Sequence, residues 1–320
     1  MQQLLEIREL TVELPTAQGW VRPVNQVSLR IDAGECVGLV GESGSGKTML
    51  SLALMGLLPV GARVSGQARL ASAVPKNLVT QTENEWRVVR GQEIAMIFQE
   101  PMTSLNPVMR VGKQIEEGIR AHQPKLANPE VRTRAIAAMR QASLGEPERR
   151  AEQYPHQLSG GLRQRAMIAM ALAAKPRLLI ADEPTTALDV TVQKEILQLL
   201  QELRRELSLG LLFITHDLGV VGQVADRVAV LYAGRVIEEG PVGEVLGAPK
   251  HPYTQGLLAA SPRLERGKLR PIPGTVPQLT ALPPGCAFEP RCPLRRSDCS
   301  IRVPELRSAS AQHLARCVLV

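Results

Sequence analysis

An octapeptide rich in glycine, GESGSGKT at residues 41–48, constrains the fold of this chain more than any other segment. It follows the apolar run CVGLV, which has the character of a buried strand, and it precedes the apolar helical run MLSLALMGLL. A strand, a glycine-rich loop and a helix in this order form a phosphate-binding loop. The pattern therefore predicts an α/β fold that holds a nucleoside triphosphate at the N-terminus of a helix.

Each residue type in this loop has a physical use. Glycines let the backbone approach the phosphates, and the helix N-terminus supplies amide donors and positive potential. Lys47 is predicted to reach the outer phosphates, and the Thr48 hydroxyl is predicted to ligate Mg²⁺. The predicted nucleotide-binding residues of the loop are Gly41, Ser43, Gly44, Ser45, Gly46, Lys47 and Thr48.

A pair of carboxylates follows a second apolar run, in the segment RLLIADEP. Asp182 is the predicted partner of Mg²⁺, and Glu183 is placed to orient and polarise an attacking water. The alternative is that the two acids only cap the following helix. Because the chain also carries a phosphate-binding loop, the metal and base roles are favoured.

The rest of the chain alternates strand and helix patterns. LLEIRELTVEL reads as a strand, and residues from about 93 to 174 read as a mostly helical insertion. Strand patterns resume in RLLIAD, LGLLFITHD and DRVAVLYAGRVIEEG, with a helix over VQKEILQLLQELRREL. Strands that alternate with helices predict a mostly parallel α/β sheet.

Composition changes towards the C-terminus. Residues 241–320 hold twelve of the 24 prolines and four of the five cysteines. We therefore predict a nucleotide-binding domain over residues 1–247, with its helical subdomain at about 93–174, and a Pro/Cys-rich extension over residues 248–320.

Four further elements complete a recognisable set. The segment LSGGLRQR at residues 158–165 accompanies Gln99, Asp189 in TALD and His216 in FITHD. Together with the phosphate-binding loop, and in this order, they resemble the ATP-binding cassette (ABC) family over about residues 1–245. The resemblance implies a P-loop NTPase fold with a RecA-like core sheet and a helical subdomain. It also implies an ATPase whose two subunits sandwich the nucleotides.

The resemblance assigns roles to individual positions. Gln99 would contact Mg²⁺ and sense the membrane partner, Glu183 would be the catalytic base and His216 the switch histidine. The signature residues and the cross-subunit loop, which face the nucleotide of the opposite subunit, would be Ser159, Gly160, Gly161 and Asp189. Leu162 stands where the family usually has glutamine, which we interpret as a tolerated change.

The base-stacking position also departs from the family. Glu13-Leu14 occupies the place of the usual aromatic near the end of the first strand, and Trp20 is the nearest aromatic side chain. We expect Trp20, if any residue, to contact the base. ATP is the expected nucleotide.

Two longer segments, QEPMTSLNPVMRVGKQIEEGI and HPYTQGLLAASP, are similar to the oligopeptide, dipeptide and nickel importer ATPases. This resemblance implies the D-type motor subunit of a peptide importer at the cytoplasmic face of the bacterial inner membrane. Its implied partners are a homologous second ATPase subunit, two integral-membrane permease subunits and, indirectly, an extracytoplasmic solute-binding protein. Residues 100–107 would dock on the permease. Nickel, glutathione and related solutes remain alternative cargoes.

Charge argues against a nucleic-acid partner. The formal net charge is +7, and residues 262–320 contribute ten Lys/Arg against four Asp/Glu, so the first 261 residues are nearly neutral. A cassette ATPase that acts on nucleic acid would usually show a basic stripe on its main domain. No run of about 20 apolar residues predicts a membrane span, and the N-terminus lacks the features of a secretory signal.

The last four cysteines form the remaining candidate site. Cys286, Cys292, Cys299 and Cys317 are separated by five, six and seventeen residues, without the Cys-x-x-Cys pairs typical of zinc ribbons. Disulfides are not expected in a cytosolic protein, whereas four thiolates can ligate an iron–sulfur cluster. The importer resemblance implies [4Fe-4S], with Zn²⁺ and free thiols as alternatives. The basic residues expected to stabilise such a centre are Arg291, Arg295, Arg296 and Arg316, whereas Cys36 is expected in the core.

Overall fold

The computed structural model describes residues 2–71, 76–100, 104–186, 188–261 and 270–320. The chain divides into two compact units. The first, which we call the phosphate-loop unit, comprises residues 3–31, 36–80 and 213–320. The second, which we call the carboxylate unit, comprises residues 1–2, 32–35 and 81–212.

An antiparallel sheet of four strands forms one layer of the phosphate-loop unit, in the order β2-β1-β4-β5. Strands β1 and β4 both bury apolar side chains, and their register pairs Leu5 with Leu70. The strands are β1 (Gln3–Thr16), β2 (Gly19–Asp32), β4 (Arg63–Leu70) and β5 (Lys76–Asn77).

A second sheet in the same unit carries the phosphate-binding loop. The strands that lie wholly within this unit follow the order β11-β12-β10-β9-β3, and β3 runs parallel to β9. Every residue of β3 is buried, as expected for an apolar run inside a parallel sheet. The strands are β3 (Cys36–Val40), β9 (Arg227–Tyr232), β10 (Arg235–Pro241), β11 (Arg307–Ser308) and β12 (Leu314–Ala315). The helices are α1 (Lys47–Leu54), α8 (Leu218–Val224), α9 (Val242–Gly247) and α10 (Pro252–Ala259).

The carboxylate unit is built from two parallel strands and a set of helices. Strand β6 (Ile94–Ile97) pairs with β7 (Leu178–Asp182), and both are fully buried. Its helices are α2 (Glu83–Val89), α3 (Val111–His122), α4 (Asn128–Gln141), α5 (Pro147–Ala151), α6 (Gly160–Leu172) and α7 (Val190–Leu207). Strand β8 (Gly210–Thr215) begins in this unit and ends in the other.

Most of the predicted elements are present. The strand predicted over LLEIRELTVEL lies within β1, and the helix predicted over VQKEILQLLQELRREL is α7. The block at residues 93–174 is mostly helical, but it opens with the buried strand β6, which the sequence interpretation missed. Cys36 is fully buried in β3, as expected.

Other expectations are not decided by the structure. The predicted boundary at residue 247 stays a prediction, since the two compact units divide the chain elsewhere. Part of the predicted docking segment, residues 101–103, lies outside the described residues. Within the part of the chain that the structure describes, no helix has the length and apolar character needed to cross a bilayer.

Candidate nucleotide-binding and hydrolysis site

The phosphate-binding loop connects β3 to α1, as the sequence predicts. Gly46 is the N-cap of α1 with φ +107°, and a Cβ there would lie 1.9 Å from the carbonyl oxygen of Pro23. A Cβ on Gly41 would lie 2.3 Å from the carbonyl oxygen of Leu231. Glycine is therefore required at both positions, because the loop passes directly against the backbone of neighbouring segments.

Lys47 lies inside this loop and is almost fully buried. Its ammonium group donates to the carbonyl oxygens of Gly41 at 2.7 Å and Glu42 at 3.0 Å. The Thr48 side chain is exposed in the first turn of α1, beside the free amides of the helix N-terminus. The loop thus combines a buried cation, a hydroxyl and helix-end donors, which suits an anionic phosphate chain.

His216 directly follows β8, and its side chain is exposed. The next residue, Asp217, is the N-cap of α8 and accepts from the Gly219 amide at 2.8 Å. The Asp217 amide in turn donates to the Thr215 hydroxyl at 3.1 Å. These hydrogen bonds fix the junction between strand and helix, so the backbone that carries the His216 imidazole is held in place.

The carboxylate unit brings two predicted site residues together. The parallel register of β6 and β7 pairs Ile97 with Ala181, so that both strands end at the same edge. Gln99 lies just beyond the first strand and Glu183 just beyond the second, and Gln99 Nε2 donates to Glu183 Oε2 at 3.3 Å. Asp182, the last residue of β7, is 2% exposed. The edge thus carries an amide and two carboxylates.

Glu183 has an unusual backbone conformation, with φ +46°. A non-glycine residue in this left-handed region costs energy and is often found at functional sites. Its Oε2 also accepts from the Thr186 hydroxyl at 2.9 Å. The sequence interpretation missed Thr186, although its position three residues after the glutamate, in EPTT, is the available signal.

The signature segment and the predicted cross-subunit aspartate lie on two adjacent helix N-termini. Ser159 is the N-cap of α6, and its hydroxyl accepts from the Leu162 amide at 3.4 Å. Asp189 is the N-cap of α7 and accepts from the amides of Thr191 and Val192, both at 3.0 Å.

The N-termini of α6 and α7 lie close together. A Cβ added to Gly161 would lie only 2.7 Å from the Val192 side chain. Ser159, Gly160 and Asp189 are exposed, so both helix ends are open to a second molecule.

Two parts of the sequence match known protein families. Residues 24–186 match the family described as ABC transporter, and residues 237–299 match the one described as oligopeptide/dipeptide transporter, C-terminal region. The chain belongs to the ABC transporter family. The predicted family and fold class are thereby confirmed.

Relatives of this ABC subunit match it over nearly its whole length. It is 48% identical to a Brucella melitensis protein named as a peptide import ATP-binding protein, over 99% of this chain and 97% of that one. It is 50% identical to the oligopeptide transport ATP-binding protein OppD of Bacillus subtilis, over 89% of this chain and 80% of that one.

Among solved structures, the dimeric ATP-binding cassette MJ0796 bound to ADP and phosphate is 29% identical and gives a TM-score of 0.66, covering 75% of this chain and 99% of that one.

The aromatic residue predicted for base stacking has another contact in this ABC subunit. Trp20 is 45% exposed, and the Arg63 guanidinium lies 4.0 Å from its ring centroid. A cation over an indole face is favourable by itself. A stacking role for Trp20 therefore stays a prediction.

The four C-terminal cysteines do converge in the ABC subunit. They line one cavity of about 10 Å³, roughly the space of a single water molecule. Each sulfur also accepts a backbone N–H. The donors are Phe288 to Cys286, Leu294 to Cys292, Arg296 to Cys299 and Leu319 to Cys317.

The thiols nevertheless lack the arrangement of a metal site. Burial raises the pKa of Cys286 to about 11, and burial also raises the pKa values of Cys292 and Cys317. Among the residues that the structure describes, no three Cys, His, Asp or Glu side chains are arranged to hold a metal ion. The expected [4Fe-4S] cluster, and the Zn²⁺ alternative, therefore find no support in this arrangement, since the cavity is too small for a four-iron cluster.

Two of the arginines expected to stabilise a metal centre serve other partners. Arg291 forms an ion pair with Glu42 at 2.7 Å, and Arg316 donates to the carbonyl oxygens of Val236 and Pro304, both at 3.0 Å. Arg296 acts on a thiol as expected, because its charge lowers the pKa of Cys317 against the effect of burial.

Proposed function

We propose that this ABC subunit hydrolyses ATP as the motor of a peptide importer. The observation that carries the proposal is the complete set of nucleotide-handling residues together with a C-terminal region of the oligopeptide/dipeptide transporter type. Relatives named for peptide import match over nearly the full length of the chain. The dimeric cassette with ADP and phosphate supports ATP hydrolysis as the reaction.

The phosphate-binding loop supplies the binding step in this proposal. Backbone amides of Gly44 to Lys47 face the phosphates, and the Lys47 ammonium exchanges its loop carbonyl partners for phosphate oxygens. Thr48 and Asp182 offer a hydroxyl and a carboxylate, which are among the oxygen ligands that Mg²⁺ takes together with phosphate and water. When bound, Mg²⁺ neutralises charge on the phosphates.

Hydrolysis is assigned to Glu183. Its carboxylate orients the attacking water and accepts a proton from it, while hydrogen bonds from Gln99 and Thr186 hold it in place. His216 is assigned to the γ-phosphate as the switch histidine. Gln99 is also assigned to the Mg²⁺ site. Its side-chain position would therefore depend on whether nucleotide and Mg²⁺ are bound.

Two subunits are proposed to act as a pair. Ser159, Gly160, Gly161 and Asp189 offer exposed helix N-termini that suit the nucleotide held by a second, homologous ATPase subunit. The complete transporter would add two permease subunits, at the cytoplasmic face of the bacterial inner membrane, and a solute-binding protein outside. Closure of the ATPase pair on ATP would drive the permease, and hydrolysis would reset it.

Reconstitution tests the cargo and the partners together. We would co-express the chain with the second ATPase and the two permease subunits, and assay ATP hydrolysis in proteoliposomes. Solute-binding protein loaded with a short peptide is expected to stimulate hydrolysis several-fold, because productive docking precedes closure. The empty binding protein is the control. Stimulation by nickel or glutathione but not by peptide would refute peptide cargo, and stimulation by nucleic acid without permease would refute the transporter role.

The cysteines carry a separate proposal. We infer that Cys286, Cys292, Cys299 and Cys317 bind [4Fe-4S] after the segment around them rearranges, supported by their convergence and by the N–H···S hydrogen bonds that favour thiolates. Anaerobic purification with iron, sulfide and zinc analysis is expected to give four irons per chain, lost in Cys292→Ser and retained in Cys36→Ser. Zinc alone, or no metal, would contradict the cluster and leave the ATPase assignment intact.

A further inference from the structure

The second residue of the phosphate-binding loop, Glu42, is held by the C-terminal part of the chain. Its backbone amide donates to the Tyr253 hydroxyl at 2.9 Å. Its carboxylate accepts two hydrogen bonds from Arg291, from Nη1 at 2.7 Å and from Nη2 at 3.0 Å. Both the backbone and the side chain of this one loop residue are therefore fixed by residues more than 200 positions away.

Arg291 is preorganised for this bidentate contact. Its side chain is 5% exposed, and its Nε donates to the carbonyl oxygen of Pro273 at 3.0 Å. Nη1 also donates to the Tyr232 hydroxyl at 3.3 Å, and the guanidinium carbon lies 5.9 Å from the ring centroids of Tyr232 and Phe288. A guanidinium fixed on three sides loses little further conformational freedom when it pairs with a carboxylate.

Tyr253 is equally fixed. It is fully buried in α10, with ring centroids 4.5 Å from Tyr232 and 5.4 Å from Phe288. Its backbone amide donates to Nδ1 of His251, the N-cap of the helix, at 3.0 Å. Because the ring cannot shift without disturbing this aromatic cluster, the hydroxyl presents a stationary acceptor to Glu42.

Glu42 connects these contacts to Lys47, the phosphate-binding lysine of the loop. The same residue whose amide and carboxylate are held by Tyr253 and Arg291 offers its carbonyl oxygen to the Lys47 ammonium at 3.0 Å. We propose that Arg291 and Tyr253 are positioning residues of the nucleotide site, which act through Glu42 to preset the loop for phosphate. Neither needs to touch the nucleotide.

This inference rests on the proposed ATPase function and deepens it. A purely structural pair is the competing explanation, but a buried ion pair contributes little net stability compared with apolar residues of similar size. A pair that presets the loop has a different consequence. Without the pair, part of the free energy of nucleotide binding is needed to order the loop. Loss of the pair therefore lowers the affinity for nucleotide more than it lowers the rate at saturation.

The test uses the assembled transporter, with steady-state hydrolysis across ATP concentrations, and the full chain, with a fluorescent ATP analogue and thermal melting. Arg291→Gln is expected to raise KM for ATP and Kd for the analogue about ten-fold, with kcat within about two-fold. Arg302→Gln, which replaces an exposed arginine in the same C-terminal segment, is the matched control and should change neither. Glu42→Gln combined with Arg291→Gln should recover much of the affinity, since the two amides can pair and no charge is left alone.

Tyr253→Phe keeps the inference testable if Arg291→Gln fails to fold. It removes one hydroxyl and keeps the ring, so it should raise KM about three-fold with little change in melting temperature. Lower melting temperatures with unchanged KM and Kd in both variants would overturn the inference. Absence of peptide-stimulated hydrolysis in the wild-type transporter would count against the proposed function alone, because binding of the analogue to the isolated chain still reports on the loop.

Discussion

Replacement of Glu183 by glutamine is expected to lower ATP turnover by about a thousand-fold, within the range that a general base contributes. The amide has nearly the same shape, and its oxygen can still accept from the Thr186 hydroxyl and from Gln99 Nε2. It cannot accept a proton from water. ATP binding should persist, so the variant should accumulate as an ATP-bound pair with its homologous subunit.

The measurement is steady-state phosphate release from the assembled transporter, together with size-exclusion chromatography of the ATPase pair in ATP and Mg²⁺. Glu206→Gln serves as the control, because Glu206 is an exposed acid near the end of α7. It should hydrolyse ATP at the wild-type rate. Normal turnover in Glu183→Gln would remove the role assigned to this carboxylate, whereas loss of both turnover and ATP binding would point to a structural defect.

Residues that act through local geometry could be predicted from the sequence. The loop at residues 41–48 was predictable because a strand, glycines and a helix follow one another without a gap, and the structure has β3, the loop and α1 in that order. Glu183 was predictable at the end of a buried strand on the same principle, but its contact with Gln99 was not, because the sequence interpretation missed strand β6. Parallel pairing of β6 and β7 then brings the two side chains to one edge.

Contacts between distant segments could not be predicted in this way. Glu42 and Arg291 are 249 positions apart, and neither periodicity nor a local motif connects them. Their pairing depends on the way that the C-terminal segment packs beside the loop. The arginine was interpreted as part of the environment of the cysteines because Cys292 is its neighbour in sequence, whereas its side chain is directed to Glu42.

The cysteines show the limit of reasoning from composition. Four thiols in one segment predicted a metal site, and in the structure the four side chains line one cavity. Composition says nothing about the distances between sulfurs or the degree of burial, and burial is what raises the pKa of Cys286 to about 11. The size of the cavity between the four side chains is set by the fold around them, so the ligand type alone did not settle the cofactor.

Gly46→Ala should have the largest effect on nucleotide binding of any conservative change in the loop. The new Cβ would lie 1.9 Å from the carbonyl oxygen of Pro23, at a backbone φ of +107° that L-residues rarely adopt. The contact is with backbone, so no side-chain rotation can relieve it, and the N-terminus of α1 must move. We expect nucleotide affinity to fall by at least about 100-fold and the free energy of unfolding by about 4 kcal/mol, which is at the upper end for single substitutions.

Gly44→Ala separates the clash from the backbone strain. Gly44 also has a positive φ, +78°, but a Cβ there would meet no atom within 4 Å. Strain alone should cost about 1–2 kcal/mol in the free energy of unfolding. Denaturant unfolding and titration with the fluorescent ATP analogue would compare the two variants. Equal losses in both would mean that the loop can move away from Pro23 without penalty. A much larger loss in Gly46→Ala would establish that the β2 backbone at Pro23 fixes the path of the phosphate-binding loop into α1.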